Sequence, residues 1–214
     1  MTTPVPSSTS IEEPQSHVGS TPRGSVVRLR GFGVGLVILG SAGLLAAFTL
    51  TVDKFRLLED PSFVPSCDLN PVLSCGSVMI TDQASVFGFP NPLLGLIGFS
   101  VVITIGVLLA VGTRPPRWVM AGLAVGAAAG LAFFHWLAFQ SLYRIGALCP
   151  WCMVVWAVTI PIAVWSILVA LRLMADSRVV TALWSVRYLI VLAWYLVFAV
   201  LILVRFWDYW STLL

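Results

Sequence analysis

The stretch ALCPWCMVVWAVTIPIAVWSILVAL, residues 147–171, contains no charged residue. About 20 apolar residues cross the hydrocarbon core of a bilayer as a helix, so this segment reads as a membrane span. It opens on Cys149-Pro150-Trp151-Cys152. At a helix start, positions i and i+3 share a face. The unpaired backbone N–H groups and the positive end of the helix dipole stabilise a thiolate there. Pro150 suits a first turn, where its missing N–H costs nothing. Trp156 follows Cys152 by four residues and Cys149 by seven, which puts it on the same face. A flat aromatic one turn below two reactive sulfurs suits a flat apolar co-substrate.

Four more uncharged runs flank this one, at 31–52, 91–113, 118–142 and 188–204. The whole chain is 59% hydrophobic and 10% charged, against about 45–50% and about 25% in a soluble domain. The expected class is an all-α integral membrane protein with five spans. The last run is the shortest and must stand nearly upright or lean on its flanking aromatics. The net charge of +3 is dispersed and gives no nucleic-acid signal. With the N-terminus inside, the inner face holds Arg23, Arg28, Arg30, Arg114, Arg117, Arg172, Arg178 and Arg187. The outer face holds Lys54, Arg56, Arg144 and Arg205. That excess follows the positive-inside rule and sends the C-terminus outside. Asp53, Glu59, Asp60, Asp68 and Asp82 then fall in the first outer loop, and all four cysteines lie on the outer side. In a bacterial plasma membrane this is the side where disulfides persist.

Between the spans, composition sets further expectations. Residues 1–30 are rich in Ser, Thr and Pro, without apolar periodicity, and read as a disordered cytoplasmic tail. No apolar core precedes Gly31, so the tail is not a signal peptide. Residues 53–90 form the longest loop. The segment DKFRLLEDPSF (53–63) prolongs the first helix to a stop at Pro61, and VMITDQASVFGFP (78–90) suits a short amphipathic segment on the membrane surface. The link RPPR (114–117) is tight, so spans two and three should be antiparallel neighbours. Gly31/Gly35 and the tandem Gly122/Gly126/Gly130 are spaced for close helix packing. Pro161 should kink the fourth span. The C-terminal RFWDYW (205–210) reads as an aromatic interfacial anchor.

The remaining cysteines, Cys67 and Cys75, lie in PSCDLNPVLSCGS (65–77). Four thiols could form a zinc site, but zinc favours two short-spaced pairs, and seven residues separate Cys67 from Cys75. They could also form an inert staple in the loop. The third option is a relay, because thiol–disulfide exchange passes two electrons from sulfur to sulfur. A loop pair can meet a soluble protein, and a pair at the membrane boundary can meet a lipid-soluble acceptor. No flavin or metal motif is present, so the electrons need a partner at each end, and a quinone is the natural membrane partner. His135, in the third span, is a functional candidate as an intramembrane ionisable group. It either moves protons at the quinone or packs as a hydrogen-bonded histidine.

CDLNPVLSC (67–75) followed by CPWC (149–152) resembles the vitamin K epoxide reductase family, in its bacterial disulfide-forming branch without a fused thioredoxin domain. The likeness covers about residues 31–172. It implies a four-helix catalytic bundle around a quinone, either menaquinone or ubiquinone. Residues 173–214 would then be a cytoplasmic link, a fifth, peripheral span and the aromatic C-terminus. The resemblance also assigns roles. Cys67 would meet the redox partner, Cys75 would form a mixed disulfide with Cys149, and Cys152 would face the quinone. Thr81 matches a hydroxyl residue six positions after the second loop cysteine. Asn91 matches an asparagine that hydrogen-bonds a quinone carbonyl, with helix capping as its alternative. Trp156 stands where the animal enzymes have tyrosine. The implied partner is a separate thioredoxin-fold (DsbA-like) protein outside the membrane.

Three functions compete on these residues. The first is a quinone-linked disulfide-forming oxidase. The second is the same relay reversed, as a thiol-driven quinone or quinone-epoxide reductase. The third is a non-enzymatic membrane scaffold with a stapled loop or zinc site. The other quinone-coupled disulfide oxidase, the DsbB type, carries its CxxC-like pair in the first outer loop, the reverse of the order here.

Overall fold

A computed structural model describes residues 23–175 and 177–212, with side chains from Leu29 onward. Among the described residues, five helices are long and apolar enough to cross a bilayer: α1 (Arg23–Glu59), α3 (Pro92–Ala110), α4 (Arg117–Gln140), α5 (Pro150–Met174) and α7 (Arg187–Arg205). Shorter helices are α2 (Cys75–Met79), α6 (Arg178–Ser185) and α8 (Trp207–Trp210). Among the described residues there is no strand, only a parallel bridge between Leu73 and Leu148. The chain is an all-α membrane bundle, as its apolar runs require.

α1 begins at Arg23, inside the expected tail, and ends before Pro61. The rest of that tail, residues 1–22, lies outside the described residues. In the turn after α1, the Asp60 carboxylate accepts the Ser62 N–H (2.9 Å) and hydroxyl (2.6 Å). α5 is the central post, with 67% of its most apolar stretch buried against 6% for α7. α5 runs as one helix through Pro161. α1 packs on α3 and on α5, and α4 packs on α5.

Contrary to the expectation from the tight RPPR link, α3 and α4 scarcely touch. A short connection brings two helix ends together but does not press their faces against each other. The bundle is therefore a ring opened along one seam.

The glycines sort differently from their spacing as well. A Cβ on Gly33 would lie 2.6 Å from the Ala110 nitrogen and 2.6 Å from the Gly106 oxygen, so α1 and α3 meet there backbone to backbone. Gly122, Gly126 and Gly130, expected to drive packing, have nothing within 4 Å of a built Cβ. Gly31 is equally open, and Gly35 meets only the Trp165 ring, at 3.9 Å. Spacing alone cannot tell a glycine face that touches a neighbour from one that makes room.

α7 is peripheral but tied by polar contacts. The Trp194 indole donates to His135 Nε2 (2.9 Å), the Tyr195 hydroxyl to the Ala157 carbonyl, and Arg205 Nε to the Leu142 carbonyl (2.8 Å).

Candidate active site

The loop after α1 returns to the start of α5. Ser74 N donates to the Leu148 carbonyl (2.9 Å), and Leu148 N donates to the Val72 carbonyl (2.7 Å). These bonds fix the residues immediately before Cys75 and Cys149 side by side. Ser74 caps α2, its hydroxyl oxygen accepting the Ser77 N–H at 3.1 Å. Cys75 is the first residue of α2, and Cys149 is the N-cap of α5. Each sulfur is thus placed at a helix entrance.

Cys67 and Cys75 form a disulfide, and Cys149 and Cys152 are free thiols. The Cys149 Sγ lies 3.2 Å from the Cys75 Sγ. It also accepts the Cys152 N–H at 3.4 Å, an orphan donor of the first helical turn. Cys75 and Cys149 are almost fully buried, packed with Leu50, Cys67 and Met79. Asp68 stiffens the entrance, its Oδ1 accepting the Gly76 N–H at 2.9 Å. A Cβ on Gly76 would sit 2.7 Å from Asp68 Oδ2, so only glycine allows that approach. Cys67 and Cys75 spend their thiols on each other, which leaves no four-thiolate zinc site in this state.

Below the sulfurs, a cavity of about 600 Å³ follows the seam between α3 and α4. Its wall is mainly apolar. It includes Phe99, Val102, Gly122, Gly126, Gly130, Phe134 and Trp156, and it reaches Cys149 and Cys152. Ligand pockets occupy about 300–1,000 Å³ and are lined this way, with a few polar groups for orientation. Trp156 is buried and backed by the Phe134 ring (centroids 6.5 Å, planes 18° apart) and by Phe198 of α7 (5.8 Å).

The other expected residues divide. Thr81 and Asn91 line the cavity. The Thr81 hydroxyl donates to the Val78 carbonyl at 2.8 Å. Asn91 sits at the N-cap of α3 but makes no side-chain cap bond. Instead its Oδ1 accepts the Val86 N–H (3.1 Å) and its Nδ2 donates to the Gln83 carbonyl (2.7 Å). Asn91 therefore holds the 3-10 turn Asp82–Ser85, whose Gln83 and Ala84 line the cavity, and these bonds replace the capping alternative. His135 is not on the cavity wall. Its Nδ1 lies 2.7 Å from the Leu131 carbonyl, and its Nε2 accepts the Trp194 indole N–H. A carbonyl only accepts and an indole N–H only donates, so the ring carries its proton on Nδ1 and both nitrogens are in use. His135 joins α4 to α7.

The Vitamin K epoxide reductase family profile matches residues 34–167. The chain belongs to this family. Among curated proteins none matches it. Family membership makes the protein a membrane thiol–disulfide oxidoreductase. The matched segment begins in α1 and ends in α5, so α7 lies beyond it while buttressing Trp156 from outside. Two features of the site are not legible in the sequence: the cavity-lining role of the α4 glycines, and that of Lys54, which in sequence counts only toward the outer charge.

Proposed function

We propose that the protein is a quinone-linked oxidase that reoxidises a separate thioredoxin-fold protein outside a bacterial plasma membrane and so supports disulfide formation in exported proteins. The observation that carries this reading is the 3.2 Å approach of Cys149 to the Cys67–Cys75 disulfide, with Cys152 on the wall of an apolar cavity. In this topology the cysteine end faces outward and the N-terminus inward. The catalytic unit is 31–172, and 173–214 adds the peripheral span.

The relay runs as follows. A partner thiolate attacks Cys67, expels Cys75 and forms a mixed disulfide. The partner's second thiol resolves it and leaves with the new disulfide. The Cys75 thiolate attacks Cys149 in a Cys149–Cys152 disulfide and expels the Cys152 thiolate at the cavity wall. Cys67 then attacks Cys75, restores the loop disulfide and frees Cys149. That end state, with the loop oxidised and CPWC reduced, is the arrangement described above. A bound quinone supplies the acceptor for two electrons and two protons, which returns Cys149 and Cys152 to a disulfide. The cavity volume and apolar wall fit such a ligand, and the seam between α3 and α4 gives it a lateral route from the bilayer.

Cys67 itself is buried, at 6% exposure, while Val64 and Leu69 beside it are 70% and 66% exposed. An apolar rim around a shielded sulfur supports docking of an apolar partner face, with the loop yielding to expose Cys67. The test uses the purified full chain, a reduced DsbA-like protein and ubiquinone-1. One quinol should form per partner disulfide, and Cys149→Ala and Cys152→Ala should each reduce the rate to background. Equal consumption of partner thiols without quinol would refute the quinone step.

A further inference from the structure

The cavity wall holds several hydrogen-bonding side chains, and its hydroxyls have already spent their protons. Thr81 donates to Val78, Ser141 to the Ala147 carbonyl, and Thr159 to the Val155 carbonyl (2.8 Å). One Asn91 N–H is committed to Gln83. The indoles of Trp118 and Trp156 and the amides of Gln83 and Gln140 leave neutral donors. Lys54 differs from all of these, being the one charged side chain on the wall among the described residues. Its Nζ donates to the Met79 carbonyl at 2.6 Å. An ammonium has three N–H groups, so two stay available, and the bond to Met79 fixes where they are.

The Met79 carbonyl also ends α2, the helix that begins at Cys75. A cation is favourable at such a C-terminus. Lys54 thus joins the reactive loop to the cavity: one hydrogen bond holds α2, and the remaining charge faces a mainly apolar space. A cation in apolar surroundings interacts strongly with any anion that reaches it, because little water screens the pair.

Resting on the quinone reading above, we propose that Lys54 is the electrophilic group of the cavity: its ammonium binds the ligand oxygen that bears negative charge, and so favours the reduced side of the acceptor couple. No net proton leaves Lys54. The electrons and protons come from the Cys149/Cys152 dithiol, and the lysine supplies charge and hydrogen bonds at a fixed point. Lys54 is then a catalytic residue, whereas Thr81 and Asn91 hold loop residues that line the site.

The test is a binding measurement in a chain that cannot turn over. In a Cys149→Ser/Cys152→Ser background the full chain is titrated with menadione, which is neutral, and with 2-hydroxy-1,4-naphthoquinone, an anion at neutral pH on the same ring system. Tryptophan quenching reports both dissociation constants. Lys54→Met should weaken the anion relative to menadione by about tenfold or more, the range of a charge-assisted hydrogen bond, and Lys54→Arg should restore the ratio. An unchanged ratio overturns the assignment. Equal weakening of both ligands also overturns it and leaves Lys54 as a tether for α2. If the parent with Lys54 intact binds neither compound, the quinone reading itself falls, and this inference with it.

Discussion

At the residue scale, sulfur chemistry depends on tenths of an ångström, and the side chains around Cys75 are arranged at that resolution. Gly76 is the clearest case, because the place a Cβ would take is occupied by the Asp68 carboxylate, which accepts the Gly76 N–H. Gly76→Ala must push either Asp68 or the first turn of α2 aside, and Cys75 is the neighbouring residue. Its expected effect is a roughly tenfold slower transfer between the loop and CPWC pairs, since small misplacements near reacting atoms cost up to about 10²-fold. Rapid-quench alkylation after a dithiol pulse would measure it, and a wild-type transfer rate would show that the hook is not needed. The CPWC motif announced its own chemistry in sequence, because helix-entrance thiols carry a local signature. Lys54 did not. A lysine at the end of a span reads as a solvent-facing charge, and only the return of the loop gives it a carbonyl partner and a cavity.

At the scale of elements, the five helices were legible because bilayer thickness fixes how long an apolar run must be. Which helices touch was not. The RPPR link constrains two helix ends, whereas α3 finds its main partner in α1, where Gly33, Gly43, Gly95 and Gly106 permit close approach. The two kinds of glycine face give opposite predictions. Gly33→Ala overlaps the α3 backbone and should destabilise the bundle by about 1–3 kcal/mol, the usual cost of overpacking. Gly126→Ala meets open space and should leave stability unchanged or slightly improved, while narrowing the cavity and raising the KM for quinone. Thermal unfolding in detergent, paired with quinone titration, checks both. Matching losses of stability in the two variants would mean that α4 packs as its spacing first implied. The fifth span follows the same lesson in reverse. Its apolar run was plain in sequence, but its bonds from Trp194 to His135 and from Arg205 to Leu142 join positions far apart in the chain.

At the scale of the whole molecule, function arises from a fold-back. Two cysteine pairs, separated by two membrane spans in sequence, meet because the Leu73 and Leu148 backbones pair and carry Cys75 and Cys149 with them. Backbone pairing leaves no mark in side-chain identity, so the juxtaposition could be inferred only through resemblance to the family. The open seam between α3 and α4 then leaves a cavity beside the inner pair. One measurement tests this account most directly. In a Cys67→Ala/Cys152→Ala double variant only Cys75 and Cys149 remain, and mild oxidation should join them almost completely. Non-reducing peptide mapping would then recover the two segments as one cross-linked species that reductant separates. If both thiols instead stay free in a chain that still binds menadione, the two pairs do not exchange and the relay is wrong.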